Sequence, residues 1–308
     1  MSFLNISTAK EFLKSETSGL YVRGGGPDQN LILLDGVPVY NASHLFGFFS
    51  VFNPDAIKDL RLFKGGIPAK YGGRLSSVLN IYQKEGNKEE FKVNGGIGLV
   101  TSRLLAEGPL GDGSFVIGGR GTYAHLFLKL TDNPNSAYFY DLNTKMSFPI
   151  NDQNKLYLSG YFGRDVFNVD ESFVNTYGNA VFNLRWNHLF SDRLFVNTSA
   201  IFTDYNFAFE GGSNGFNFRL GSGIRDINLK QDYTYYHNSL HNFKFGWNYT
   251  FHRFVPSSLS ASSGDVEFNT IDEVKIYGNE YAIYFQDEWD INEDLKINVG
   301  FRLSAYQH

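Results

Sequence analysis

The feature that most constrains this sequence is a set of long period-two segments in its later part. Over residues 178–190, Ala180, Phe182, Leu184, Trp186 and Phe190 alternate with Asn179, Asn183, Arg185 and Asn187. Over 239–251, Phe243, Phe245, Trp247, Tyr249 and Phe251 alternate with Asn242, Lys244 and Asn248. Over 295–306, Leu295, Ile297, Val299, Phe301 and Leu303 alternate with Lys296, Asn298 and Arg302. Residues two apart share a face of a strand, so each segment has one greasy face and one wet one. Strands of soluble sandwiches average about five or six residues, and these run to twice that. A strand crosses a bilayer in ~9–11 residues, and a Lys or Arg on its lipid face costs about 2–4 kcal/mol at the midplane. Lys145, Arg185, Lys244, Lys296 and Arg302 all keep to the polar parity. The pattern therefore assigns the apolar face to lipid and the polar face to a lumen. Two residues break it: Asp287 falls beside Phe285 and Trp289, and Asp204 follows Phe202. Both lie near strand ends, where a charge costs about 0–1 kcal/mol or a bulge re-aims the side chain.

The connections alternate in length. Short turns are expected near 108–113, 149–154, 190–193, 236–239 and 290–294, and long loops near 122–137, 164–176, 209–222 and 254–276. Membrane barrels have short periplasmic turns and longer extracellular loops, and about ten strands fit the spacing. Aromatic residues make up 17% of the chain and Gly numbers 32, which favours aromatic-rich strands with tight turns over a helix bundle. The net charge of −5 lacks the basic excess of a nucleic-acid binder. With no cysteine, neither a disulfide framework nor a thiolate metal site is available. No apolar run approaches the ~18 residues of a membrane helix. The first residues lack the basic and apolar regions of an export signal, so one is expected upstream.

Residues 23–84 read differently, as a compact Gly-rich unit of mixed α+β type. The apolar runs 31–34 and 37–40 flank Asp35-Gly36, a strong tight-turn signal between β-formers. Asn53, Pro54 and Asp55 predict a capped helix over 54–60. A strand over 61–64, the loop GGIPAKYGGR and a strand over 77–82 follow.

In three pieces this unit resembles the C-terminal part of the plug domain of TonB-dependent outer-membrane receptors of the Bacteroidetes type. They are YVRGGGPDQNLILLDGVPVYN (21–41), HLFGFFSVFNPDAIKDLRLFKGG (44–66) and PAKYGGRLSSVLNI (68–81), matching in order and spacing. The segments GLVTSRLLAEGPL (98–110), SGIRDINLKQDY (222–233) and YAIYFQDEWDINEDLKINVGFRLSAY (281–306) are similar to early barrel strands of the same receptors. The resemblance implies a mainly β chain: part of a plug over residues 1–85, then the first half of a barrel over 86–308. The family barrel has about 22 strands around a plugged lumen, so a barrel of about ten is incomplete. It implies no enzyme, no cofactor and no nucleic-acid partner. The expected function is binding and import of a bulky, scarce solute, of the iron-siderophore, cobalamin or oligosaccharide class. The expected partners are a TonB-type energising complex, outer-membrane lipid and the solute itself. A receptor for signalling or surface binding without transport, or a soluble β-rich adhesin, are alternative readings.

No catalytic set stands out. His237 and His241 lie four apart on a strand, which puts their Cβ atoms ~13 Å apart and excludes a shared metal. RGGGPDQN is followed by a strand instead of the helix that a phosphate loop needs. At the plug apex, Asp28, Gln29, Tyr40, Asn41 and His44 are candidates for contact with ligand, with Gln29, Asn41 and His44 foremost. Phe46, Phe48, Phe49 and Phe52 fit either the plug's own core or its contact with the wall. The resemblance gives Arg23 and Arg74 plug-seating roles through wall carboxylates, although Lys64 stands where the family pattern has a second arginine.

Overall fold

The computed structural model describes residues 20–128, 134–170, 172–213, 216–263, 266–271 and 274–308. In the N-terminal unit, β1 (Asn30–Leu34), β2 (Val37–Pro38), β5 (Ile57–Phe63) and β6 (Ser77–Gln83) form one sheet in the order β2-β1-β6-β5. β1 runs parallel to β6 and the other pairs are antiparallel. Short strands β3 (Ser43–His44) and β4 (Phe49–Ser50) form a separate hairpin. The turn between β1 and β2 forms as its sequence predicts. Asp35 has φ 50° and Gly36 φ 82°, the paired left-handed residues of a type I′ hairpin.

The predicted helix over 54–60 is only one turn of 3₁₀ helix, Pro54–Ala56. Its cap is as expected, with Asn53 Oδ1 accepting from the Asp55 N–H at 3.1 Å. The chain then enters β5 at Ile57, four residues earlier than the strand expected at 61. A seven-residue helix is marginal alone, whereas pairing with β6 satisfies the backbone and buries Leu60 beside Leu79 and Ile81.

The large sheet comprises β7 (Lys92–Ile97), β8 (Thr101–Leu110), β9 (Gly113–Thr122), β10 (Ser136–Asn151), β11 (Asn154–Val169), β12 (Phe173–Ser191), β13 (Leu194–Ser213), β14 (Phe216–Tyr236), β15 (His241–Ser263), β16 (Val266–Ile271), β17 (Ile276–Asp290) and β18 (Lys296–Gln307). Eleven of them follow one another in chain order, each antiparallel to the next, while short β16 folds back on β15. A short helix α1 (Ala124–Leu128) follows β9. The five short turns lie where predicted. Three of the four long loops are largely strand, because β11–β12, β13–β14 and β15–β16 continue pairing as ribbons as far as Val169–Phe173, Ser213–Phe216 and Ser263–Val266. Backbone pairing thus satisfies the polar groups that an open loop would leave to water.

Register fixes the two faces. Phe182, Phe202, Ile227 and Phe251 are aligned across four strands on the outer face, where Phe182 is 46% and Ile227 56% exposed. On the inner face, Tyr161, Val181 and Ile201 join Leu34, Val37, Val39, Val51, Phe52, Leu60, Leu79 and Ile81 of the N-terminal unit in one core. The wall's share of that core is three residues, Tyr161, Val181 and Ile201. Asp204 and Asp287 remain on the outer face of regular strands without a bulge. Asp204 is paired with Arg225, and Asp287 Oδ2 lies 2.8 Å from His241 Nδ1.

Candidate functional site

Two parts of the N-terminal unit are locked to the inner face of the sheet. The first is the Asp35-Gly36 turn. Its backbone carbonyls accept from Asn183 Nδ2 at 3.1 Å, from Arg185 Nη2 and from Lys230 Nζ at 3.0 Å. The Asp35 carboxylate accepts from Lys145 Nζ at 3.1 Å and from the Gln83 N–H at 3.1 Å. Asp35 and Lys145 are both buried, so their charges compensate one another in a poorly solvated site.

The second is the loop after His44, whose side chain is 1% exposed. Nδ1 lies 2.6 Å from Asp165 Oδ2, and Nε2 lies 3.2 Å from Asp141 Oδ2 and 3.1 Å from the Tyr161 hydroxyl. Arg120 donates to Asp141 from Nε at 2.8 Å and to the Ser50 carbonyl at 2.8 Å. Burial works against a charged imidazole here, but the hydrogen bonds to Asp141 and Asp165 outweigh it and raise the His44 pKa. A protonated His44 with Arg120 balances the two carboxylates. The ring also stacks on Phe139 with centroids 4.1 Å apart.

The next two residues are left-handed without being glycine, Leu45 at φ 50° and Phe46 at φ 56°. Such backbone costs of order 1–3 kcal/mol per residue and persists where surroundings enforce it. Here the Leu45 N–H donates to Asp165 Oδ1 at 2.8 Å and the Phe46 N–H donates to the Tyr177 hydroxyl at 2.9 Å. The strain presents the Phe46 ring at 4.1 Å from Phe167 and 5.8 Å from Tyr177. Farther along the ribbons, Phe173, Phe209 and Phe218 share the inner parity and contact one another at 5.7–6.4 Å. Phe46 is 59% exposed, so with Phe167 and Tyr177 it gives the loop tip and the wall a shared aromatic surface, the vestibule.

Residues 5–77 match the TonB-dependent Receptor Plug Domain family. This chain carries a TonB-dependent receptor plug. The fold of plug and sheet together is similar to that of the ferric citrate transporter FecA in the unliganded form, at 12% identity and TM-score 0.71, over 93% of this chain and 49% of that one. It is similar to the ferric-catecholate import receptor Fiu from E. coli K12 in an open form, at 15% identity and TM-score 0.70, over 94% and 54%. It is also similar to the copper transporter OprC, at 12% and 0.70, over 92% and 48%. The chain spans about half the length of these structures. The large sheet is accordingly a partial barrel, with its inner face toward the plug.

The sequence-predicted site residues separate into two groups. Tyr40, Asn41 and His44 lie together along the barrel wall. The Tyr40 hydroxyl donates to Asp226, the Asn41 carbonyl accepts from Asn179 Nδ2 at 2.8 Å, and His44 is enclosed as described. Burial and the Asp226 carboxylate raise the Tyr40 pKa, so this phenol stays protonated as a donor. Asp28 and Gln29 lie on the separate 3₁₀ turn Pro27–Gln29, with Asp28 exposed and the Gln29 carbonyl accepting from the Ser76 N–H at 2.9 Å. Among the described residues, neither Arg23 nor Arg74 is within ion-pair distance of a carboxylate; both are exposed, and Arg74 Nη1 donates to the Gly73 carbonyl at 2.8 Å.

The pairing runs largely in the other direction, from wall cations to plug acceptors. Besides Lys145, Arg103 meets Asp55 at 2.6 Å, Lys155 meets Glu85 at 2.8 Å and Arg302 donates to the Lys70 carbonyl at 3.1 Å. Lys145, Arg185 and Arg302 have lumen parity in the sequence, and that parity is the signal available for these contacts. Asp141, Asp165 and Tyr177 also have lumen parity, but nothing in the sequence pairs them with His44. Of the plug phenylalanines, Phe52 belongs to the core and Phe49 packs on Phe139 at 5.4 Å, while Phe46 lies at the vestibule and Phe48 is exposed.

Proposed function

We propose that this chain is the plug, over residues 1–85, and the first part of the barrel, over 86–308, of an outer-membrane receptor. It binds a bulky, scarce solute in the vestibule and imports it when a TonB-type energising complex pulls on the plug. The observation that carries this reading is that the plug's strained loop tip and the wall share an aromatic surface at Phe46, Phe167 and Tyr177. A solute bound there touches both and biases how the plug sits, which is the coupling that gated uptake requires. Stacking surfaces favour a ligand with planar or apolar parts, such as an iron chelate with aromatic arms, over a bare oligosaccharide. The plug is held largely by hydrogen bonds and ion pairs, which water can replace during movement, while its apolar share with the wall is confined to a few residues. No residue is assigned a catalytic role.

The experiment is uptake and binding by the intact receptor in outer-membrane vesicles, using a ferric catecholate, ferric citrate, cobalamin and a maltooligosaccharide. The expected result is saturable binding of one iron chelate, weakened about tenfold or more by Phe46→Ala, with uptake dependent on the energising complex. The reading fails if the receptor is absent from the outer membrane, or if none of these solutes binds.

A further inference from the structure

The plug sheet and the wall face one another across a second space, which none of the vestibule residues lines. β1 and β6 present Leu31, Leu33, Asn80 and Tyr82 toward the inner faces of β12 to β18, and a cavity of about 320 Å³ lies between them. Cations enter it in two pairs. Arg185 and Lys230 converge on the tight turn: a Cβ added at Gly36 would lie 3.2 Å from Lys230 Nζ and 3.5 Å from Arg185 Nη2. The second pair forms at the loop between β5 and β6. There Arg302 Nη1 donates to the Lys70 carbonyl at 3.1 Å, and the Lys70 ammonium lies 4.9 Å over the Tyr71 ring.

Three carboxylates also line the cavity, and each is engaged. Asp226 accepts from the Tyr40 hydroxyl and lies 2.8 Å from His252 Nδ1, while Asp232 accepts from the Tyr284 hydroxyl at 2.6 Å. Glu280 lies 3.6 Å from His252 Nε2 and 3.9 Å from Arg302 Nη2. Among the described residues, Arg185, Lys230 and Lys70 have no carboxylate within ion-pair distance, and Arg185 and Lys230 each donate to a neutral plug carbonyl. With Arg74 and Arg302, five Lys and Arg side chains meet three carboxylates in one partly desolvated space. Like charges gathered there repel, and an oxyanion between them relieves the repulsion while matching guanidinium and ammonium donors. The volume is at the lower end of the ~300–1,000 Å³ of small-molecule sites, which suits an anion of few atoms and not a bulky chelate.

We propose that this cavity binds a small oxyanion charged at both ends, of the diphosphate class, which bridges the Arg185–Lys230 pair and the Lys70–Arg302 pair. It thereby clamps the loop between β5 and β6 to the wall. Charge at both ends follows from the two separate cation pairs, since an anion with one charged group engages only one of them. The inference uses only the meeting of plug and wall, and it holds whatever solute the vestibule takes.

The test titrates the intact receptor, in a non-ionic detergent and a chloride buffer, with pyrophosphate and with inorganic phosphate by isothermal titration calorimetry. Expected is one saturable pyrophosphate site, about tenfold tighter than phosphate. Lys70→Gln keeps the backbone carbonyl that Arg302 uses and should weaken pyrophosphate about tenfold, whereas Lys70→Arg should retain it. Asn197→Asp adds a carboxylate to the cavity, removes no cation and should abolish binding. A clamp has a second readout: Leu75 in the same loop is 87% exposed, and labelling of Leu75→Cys should slow on saturation with pyrophosphate in the parent but not in Asn197→Asp. Heat-modifiable migration on gels verifies that each variant is folded. The proposal is overturned by equal affinity for the two anions, by no saturable pyrophosphate binding to the folded parent, or by labelling indifferent to pyrophosphate. Unchanged affinity in folded Lys70→Gln or Asn197→Asp marks an adventitious surface ion and overturns it too. A receptor that imports its solute but binds no pyrophosphate sinks this inference alone.

Discussion

The Asp35-Gly36 turn and the His44 loop are both buried against the barrel wall, yet they are held in different ways. At the turn, Arg185, Lys230 and Asn183 donate to backbone carbonyls, and Lys145 neutralises Asp35. That anchor is shared among four side-chain donors, and the turn's two positive φ values fall on residues that tolerate them. At the His44 loop, charge balance depends on one imidazole proton, and two non-glycine residues are strained behind it. The first anchor is fixed and the second is conditional. The conditional one carries Phe46 into the vestibule, so it is the anchor that a bound solute is placed to influence.

Four perturbations break or sharpen that contrast, and the cysteine-free sequence makes a single Ser43→Cys probe a clean readout of plug opening. Asp165→Ala has the largest effect, because it removes both a charge partner of His44 and the acceptor for the Leu45 N–H. Breaking one arm of such a buried cluster costs about 3–5 kcal/mol, seen as a large rise in Ser43→Cys labelling rate. A pH increase produces a smaller version of the same change. The folded loop holds the imidazole proton more tightly than the open chain, so this stabilisation is fully present below the ordinary histidine value and is lost as pH rises through the raised one. Labelling corrected for thiolate fraction should climb over that window in the parent and stay flat in His44→Gln. At the fixed anchor, Lys230→Met removes a charged donor to the Gly36 carbonyl and costs about 1.5–3 kcal/mol in denaturant melts. Gly36→Ala is the mildest: φ is 82° and the new Cβ lies 3.2 Å from Lys230 Nζ, which gives about 1 kcal/mol.

The sequence revealed the period of the strands and therefore which face each side chain takes, because parity is a local property. Phe182 and Phe251 fall outward, and Lys145 and Arg185 inward, as their alternation required. The Asp35-Gly36 turn was equally legible, since its φ values are set by the two residues themselves. The segment after Pro54 was misread as a helix because its strand partner, β6, lies more than twenty residues away along the chain. The long loops were misread for a related reason: polar, Gly-rich ribbons look like coil until their cross-strand partners are known. The His44 cluster was illegible as a set, because Asp141 and Asp165 are 97 and 121 residues distant and are joined to it only by the plug's position in the barrel.

The most direct test of the central claim, that the plug must leave these anchors for uptake, is a reversible tether between plug and wall. Asn41→Cys/Asn179→Cys joins two neighbouring positions, the Asn179 side chain meeting the Asn41 backbone at 2.8–3.5 Å, in the intact receptor assayed with its iron chelate. The account predicts that the oxidised protein binds the chelate normally, fails to transport it, and regains uptake on reduction. Undiminished uptake by the fully cross-linked protein would contradict it.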